Sequence, residues 1–234
     1  MLQKISRKNI IYGILTGLLL ILYEALVYGF SSRLSALLGF TPFSCKIDAV
    51  DDMIPVIPVF ILIYFWAYVF WITTPVAIMK TGREHMADFI FTYLITFLLG
   101  GIFMVFFPTS MDRVAEGLYD NDSTGLFRSL MRFCYSVDGK ETASNLIPSF
   151  HCMNSVLFCL GVRKQTQVSV GYRIYAFIIM LLIFASTVFT KQHYITDVFT
   201  GIIPAVIIYA VCDVLHPGRL LIKLTDFFRK KGKK

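Results

Sequence analysis

Lys191-Gln192-His193-Tyr194-Ile195-Thr196-Asp197 is a short polar stretch between two apolar runs, each about as long as a membrane crossing. The runs predict two helices, and the polar stretch predicts the turn that joins them at a membrane surface. If the residues after His193 are helical, a spacing of four places its imidazole and the carboxylate of Asp197 on one face. A carboxylate in that position orients the ring, so the stretch predicts a histidine prepared for chemistry.

The composition of the 234-residue chain indicates a membrane protein. Hydrophobic residues make up 56% of it and charged residues only 16%, which is more apolar than the core of a soluble domain requires. The formal net charge of +7 comes largely from the two ends, where basic residues flank apolar runs and form no patch with interleaved aromatic side chains. We therefore expect contact with a membrane and no nucleic-acid partner.

Six apolar stretches predict an all-α polytopic membrane protein, a bundle of six transmembrane helices that forms one domain over residues 1–234. The predicted spans cover about residues 10–30, 54–79, 87–107, 148–163, 171–190 and 195–215, and the fourth is the shortest. A basic tail follows at residues 216–234, and residues 124–135 predict a short amphipathic helix in the membrane interface. The first stretch is longer than the core of a signal peptide, so we expect it to be retained.

Lysine and arginine collect on one side of this six-span arrangement. The N-terminal segment, the turns at residues 80–84 and 163–164, and the tail share that side, which the positive-inside rule predicts to be cytoplasmic. Both termini are then cytoplasmic, and the two histidines at positions 151 and 193 face the extracytoplasmic side. The other two of the four histidines, at positions 85 and 216, face the inner side and are left out of the expected chemistry.

Two segments resemble signature motifs of the phosphatidic acid phosphatase type 2 (PAP2) superfamily. Pro148-Ser149-Phe150-His151 is similar to the motif PSGH, and Ser186, His193 and Asp197 have the spacing of the motif SRxxxxxHxxxD. Asn145 stands ahead of the first of these segments. With it, the variant His193-Tyr194-Ile195-Thr196-Asp197-Val198 is especially similar to the branch that contains inositol phosphorylceramide synthases and sphingomyelin synthases, along with bacterial relatives.

The chain departs from the superfamily pattern at three places. Thr187 stands where the motif has an arginine, and Phe150 stands where it has a glycine. The first motif, KxxxxxxRP, is reduced to a remnant around Arg113. Lys191 then either replaces part of the lost positive charge or extends towards the headgroup layer.

The resemblance implies a PAP2-like helical bundle and phosphoryl chemistry that needs no metal or other cofactor. His193 is the expected nucleophile, Asp197 holds its ring, and His151 protonates the leaving alkoxide. The residues expected to bind the lipid phosphate are Arg113, Ser149, Phe150, Lys191 and Asn145, together with helix-terminal amides near Phe150.

Three functions stay open at this stage. The favoured one is hydrolysis of a lipid phosphate monoester or diphosphate, such as phosphatidic acid, through a phosphohistidine intermediate. The alternative is transfer of a phospho-headgroup from a phospholipid to a ceramide-like or diacylglycerol-like alcohol. A third function is a small transporter, without enzymatic activity, whose histidines line a pathway.

Three further features have simpler interpretations. Glu24, the one charge in the first span, is expected to be paired within the bundle. Asp51 and Asp52 are either solvated loop acids or the border of a headgroup site. Cys45 and Cys134 both fall on the outer side, where a disulfide is chemically allowed.

Overall fold

The computed structural model describes residues 6–118, 125–137, 139 and 141–231. Within these residues the chain forms nine α-helices and one small antiparallel sheet. The helices are α1 (Arg7–Leu37), α2 (Asp48–Asp51), α3 (Ile61–Ile78), α4 (Arg83–Phe106), α5 (Leu126–Val137), α6 (Phe150–Arg163), α7 (Val170–Phe189), α8 (Ile195–Leu215) and α9 (Gly218–Lys231). The strands are β1 (Ser110–Asp112) and β2 (Thr142–Ser144), and short 3-10 turns at Pro58–Phe60 and Met79–Thr81 flank α3.

Five of the described helices are long and apolar enough to cross a membrane. They are Arg7–Leu37, Pro58–Thr81, Arg83–Phe106, Val170–Phe189 and Ile195–Leu215. This finding confirms the predicted class, a helical integral membrane protein. The remaining predicted span, residues 148–163, corresponds to α6, whose 14 residues extend about 21 Å. That length is shorter than a hydrocarbon core of roughly 30 Å, so the count of six crossings stays a prediction.

α6 lies at the centre of the bundle. Most of its side chains are buried, and it packs against α3, α4, α7 and α8. Trp71 of α3 donates a hydrogen bond from Nε1 to Oγ of Ser155 at 3.1 Å. Tyr209 of α8 donates one to the carbonyl oxygen of Leu160 at 3.0 Å. Neighbouring helices surround α6, so polar side chains such as Asn154 and Ser155 can form hydrogen bonds there that lipid tails could not provide.

A glycine lets α8 approach the start of α6 closely. A Cβ atom at Gly201 would stand 2.5 Å from the carbonyl oxygen of Ser149 and 3.1 Å from Cβ of Cys152. Small residues permit such contacts between membrane helices. The approach brings the first turns of the two helices together, and the backbone N–H of Ser149 donates to the carbonyl oxygen of Asp197 at 3.2 Å.

Loops at this end of the bundle fix the segment that precedes α6. β1 pairs with β2, and Thr109, next to β1, accepts hydrogen bonds at Oγ1 from the N–H groups of Leu146 (2.9 Å) and Ile147 (3.1 Å). Tyr28 of α1 donates to the carbonyl oxygen of Ser144 at 2.7 Å. The chain between β2 and α6 is therefore tied both to the sheet and to α1.

The predicted amphipathic helix corresponds to α5. Its described residues bury Met131, Cys134 and Tyr135 against α3 and leave Phe133 and Val137 exposed. The first position of the predicted helix, residue 124, lies outside the described residues. No disulfide joins the cysteine of α5 to Cys45 within the part of the chain that the structure describes.

The predicted basic tail contains α9, which packs against α4. Arg83 and Asp226 form an ion pair with 2.6 Å between Nη2 and Oδ1, and the N–H of Gly218 donates to Oδ1 of Asp88 at 2.8 Å. Residues 232–234 of the tail lie outside the described residues. The tail thus begins as a helix that is fastened to the end of the bundle opposite α5 and the sheet.

Candidate active site

A buried carboxylate holds His193 at the start of α8. Nδ1 of His193 lies 3.2 Å from Oδ2 of Asp197, and the Asp197 side chain is fully buried. The same oxygen accepts the backbone N–H of Tyr194 at 2.9 Å, because a carboxylate in the first turn of a helix reaches back to its free amides. The structure thus places the two residues in the predicted pair, and Nε2 of His193 is the ring nitrogen that points away from the carboxylate.

His151 faces His193 from the first turn of α6. The centroids of the two rings are 6.2 Å apart. On its other sides, His151 stacks on Tyr64 with a centroid distance of 4.4 Å and meets the Trp71 ring at 5.2 Å. Aromatic packing of this kind fixes the orientation of the imidazole.

Three buried polar atoms at this site lack a hydrogen-bond partner among the described residues. They are Nε2 of His151, Nε2 of Gln192 and Oδ1 of Asp197. Buried polar atoms are nearly always paired, and leaving one unpaired costs about 1–3 kcal/mol. Two of these atoms, on His151 and Gln192, belong to side chains that line one cavity, and they indicate a site that a polar ligand completes.

The two histidines line a cavity of about 610 Å³. Glu24, Asn145 and Gln192 contribute polar groups to its wall. Apolar and aromatic side chains form much of the remaining wall, among them Tyr28, Tyr64, Tyr68, Met104 and Phe150. Apolar walls with a few polar groups are typical of a site for a small amphiphilic ligand, and this volume lies within the usual range for such sites.

The start of α6 lies at the cavity. Phe150 and His151 occupy the first two helical positions and both line the cavity. Ser149 is fully buried and caps the helix, because its Oγ accepts the N–H of Cys152 at 3.4 Å. The N–H groups at the first two positions have no carbonyl partner inside a helix. Of the expected phosphate ligands, the structure therefore brings Phe150 and Asn145 to the cavity and uses Ser149 as a cap.

Arg113 lies behind the cavity wall and does not line it. Its guanidinium stacks on the ring of Tyr135 at 4.2 Å and donates from Nη2 to Oε1 of Gln192 at 3.0 Å. Burial raises the pKa of Tyr135 to about 12, so the ring under the guanidinium is neutral at physiological pH. A guanidinium only donates hydrogen bonds, so Gln192 turns its oxygen towards Arg113 and its amide nitrogen away.

Gln192 is a candidate site residue that the sequence did not reveal. It is 2% exposed, lies on the cavity wall and precedes His193 in the chain. A single glutamine beside a histidine carries no motif, and its partner Arg113 is 79 positions away. Only the fold shows that the two side chains form a unit.

Lys191 points away from the two histidines. Its Nζ donates to the carbonyl oxygen of Asp51 at 2.7 Å, and burial lowers the pKa of Lys191 although nearby acids, Asp51 first, act in the opposite direction. Asp51 is itself buried, and its carboxylate accepts the N–H of Ile195 at 2.9 Å. The lysine therefore fastens the loop between α1 and α3 to the start of α8, and it is not among the residues that line the cavity.

A comparison with known protein families matches residues 32–211 to the PAP2 superfamily. The chain belongs to the PAP2 superfamily. The match includes both histidines, Asp197 and Arg113, and it confirms the resemblance of the sequence at the level of the superfamily. PAP2 membership indicates a phosphatase or phosphotransferase of lipid type.

The narrower resemblance to the synthase branch of the PAP2 superfamily stays a prediction. The comparison with curated proteins finds no match to this chain. Among the residues that the structure describes, no group of three or more histidine, cysteine or acidic side chains is placed to hold a metal ion.

Proposed function

We propose that this protein is a membrane lipid phosphatase that hydrolyses a lipid phosphate monoester or diphosphate through a phosphohistidine intermediate. The observation that carries this proposal is the pair of histidines that face each other at 6.2 Å, one of them held by a buried carboxylate. Membership of the PAP2 superfamily supports phosphoryl chemistry on a lipid. The apolar lining of the cavity supports a lipid over a soluble phosphate ester.

In the first step, Nε2 of His193 attacks phosphorus, and the bond between phosphorus and the lipid oxygen breaks. Asp197 accepts a hydrogen bond from Nδ1–H and stabilises the positive charge that develops on the ring. His151 transfers a proton to the departing alkoxide, which leaves as the lipid alcohol. The distance of 6.2 Å between the ring centroids supports this arrangement, because both rings lie close enough to contact one phosphate group.

In the second step, water attacks phosphorus on the phosphohistidine. His151, now neutral, takes the proton of that water as the bond between phosphorus and Nε2 breaks. His193 returns to its neutral form, and inorganic phosphate leaves. The unpaired amide of Gln192 and the first amides of α6 are the donors that would hold the phosphoryl oxygens, and Arg113 acts by orienting Gln192.

We further propose that this chemistry takes place at the extracytoplasmic face, with both termini in the cytoplasm. The support is the distribution of lysine and arginine along the chain, because basic residues collect at the ends and turns opposite the two histidines. The two termini share a side only if the chain crosses the membrane an even number of times. Five long helices can cross, so this topology also requires that α6, together with its flanking loops, spans the bilayer.

Transfer to a lipid alcohol is the second candidate function. The size of the cavity, about 610 Å³, favours it, because this space is much larger than one attacking water requires. In that reaction a ceramide-like or diacylglycerol-like hydroxyl replaces water in the second step, and the donor is a phospholipid. Both reactions use the same two histidines and the same carboxylate.

The test supplies the purified full-length protein, in vesicles, with phosphatidic acid alone or with a phospholipid donor plus ceramide or diacylglycerol. Release of free phosphate from phosphatidic acid is the result expected for the phosphatase. Formation of a new headgroup lipid, without release of phosphate, would support the transferase instead. Absence of both products would overturn the two candidates together.

Replacement of Gln192 by leucine is expected to lower kcat/KM by about 10-fold to 100-fold. Loss of one donor to a phosphoryl oxygen removes about 1–3 kcal/mol of transition-state stabilisation. Initial rates of phosphate release measure the effect, and the melting temperature of each variant shows whether the fold is retained. Gln167→Leu, at an exposed position between α6 and α7, is the matched control and should change neither quantity. Unchanged kinetics in a folded Gln192→Leu protein would remove this residue from the phosphate site.

A further inference from the structure

Glu24 is a buried carboxyl group in the cavity that the proposed mechanism does not use. It lies in α1, is 9% exposed and lines the same cavity as the two histidines. An ionisable side chain within a membrane-spanning helix is costly, and a functional role is the first explanation to test. Glu24 also precedes residues 32–211, which match the PAP2 superfamily. The shared chemistry of the superfamily therefore does not account for it.

Two neutral side chains hold Glu24 through one of its oxygens. The hydroxyl of Tyr93 donates to Oε2 at 3.2 Å, and Nδ2 of Asn154 donates to the same oxygen at 2.6 Å. Among the described residues, no hydrogen bond reaches Oε1 of Glu24, and Oδ1 of Asn154 is buried without a partner. The cluster thus contains two acceptor oxygens, on two neighbouring side chains, for which the described residues supply no donor.

The position of Asn154 sets the depth of this cluster relative to the histidines. Asn154 follows His151 by three residues on α6, which is about 4.5 Å along the helix axis. α6 runs away from the end of the bundle where the two histidines meet, so the Glu24 carboxyl lies about one turn deeper. A lipid whose phosphate sits between the histidines places its next few backbone atoms at that depth.

We infer that Glu24 binds a hydrogen-bond donor on the lipid backbone, close to the carbon that carries the phosphate, while Asn154, behind it, holds its carboxyl group. This inference rests on the proposed function for the position of the phosphate. A carboxylate oxygen on the cavity wall without a donor fits a hydroxyl or an amide N–H, whereas the ester carbonyls of a fully acylated glycerolipid only accept. The substrate class is therefore a lipid phosphate with a free hydroxyl or amide next to the phosphate-bearing carbon.

The test compares two lipids that differ by one hydroxyl group, 1-oleoylglycerol 3-phosphate and its 2-deoxy analogue. Binding is measured to the full-length protein with His193→Ala, so that neither lipid is turned over. We expect the hydroxyl lipid to bind about tenfold more tightly, or better, because a site that pairs a hydroxyl rejects the analogue without it. Adding Glu24→Leu should bring the ratio of the two affinities to about one. Glu84→Gln, at an exposed position of α4, is the control and should leave the ratio unchanged.

The outcomes separate this inference from the proposed function. Equal binding of the two lipids, or no binding of either, by the His193→Ala protein overturns the inference even if Glu24→Leu does not fold. A preference that persists in a folded Glu24→Leu protein also overturns it. Selective binding by a protein that, with His193 intact, releases no phosphate and transfers no headgroup contradicts only the proposed function.

Discussion

Replacement of His193 by alanine is expected to lower kcat/KM for phosphate release by at least about 10⁴-fold. The reason is that the variant loses the atom that bonds to phosphorus, and loss of a covalent nucleophile has effects of this size. Initial rates with a lipid phosphate measure the loss. A second measurement follows the ³²P label of a lipid phosphate onto the protein, where phosphohistidine is stable to base and labile to acid.

His85→Ala is the matched control for this variant. Nε2 of His85 lies 2.8 Å from the carbonyl oxygen of Gly161, near the end of α6 that is farthest from His151. Its replacement should leave both the rate and the acid-labile label in place. Label that persists on the His193→Ala protein would show that another residue accepts the phosphoryl group.

The pairing of His193 with Asp197 was predictable because it depends only on local geometry. A spacing of four on a helix fixes which side chains share a face, and the apolar run that follows required a helix at that point. The meeting of His193 with His151 was predictable for a different reason. Both residues begin an apolar helix at what the charge pattern marks as the same side of the membrane, so the topology limits the distance between them.

The departures from expectation arise where a contact depends on packing. Arg113 was expected to bind the phosphate, but its guanidinium donates a hydrogen bond to Gln192. The sequence around Arg113 and the sequence around Gln192 contain no pattern that predicts this contact. Lys191 was expected near the phosphate or the headgroups, and it binds the carbonyl of Asp51 across 140 residues of chain. The orientation of a long basic side chain is set by its neighbours in space, which hydropathy and spacing do not specify.

The helices also show that hydropathy predicts the segments that face lipid better than the segments that are enclosed by protein. Five long apolar helices correspond to predicted spans, because lipid demands a run of apolar residues wherever a helix faces it. α6 is enclosed by other helices, so its composition is not constrained in this way and it carries Asn154 and Ser155 in its buried face. The same enclosure explains Glu24. Its expected pairing inside the bundle was correct in outline, but its partners, Tyr93 and Asn154, come from α4 and α6.

Replacement of His151 by alanine is expected to slow hydrolysis of an alkyl phosphate by about 10²-fold to 10⁴-fold, the usual contribution of a general acid and base. The loss should depend on the leaving group. A lipid alkoxide needs a proton as it departs, whereas nitrophenolate is a weak enough base to leave without one. We therefore expect the first step with nitrophenyl phosphate to be nearly normal in this variant, and the second step, which needs a base for water, to be slow.

The kinetic signature of this difference is a burst. The His151→Ala protein should release about one nitrophenolate per active site rapidly and then turn over slowly, while phosphohistidine on His193 accumulates. His85→Ala again supplies the control and should show no burst. His151 also packs against Tyr64 and Trp71, so a purely structural role predicts something else: equal losses with both leaving groups and no accumulation of label. A burst accompanied by trapped label requires that the ring transfers protons. A defect in packing would slow both steps, and its effect would not depend on whether the leaving group is an alkoxide or a phenolate.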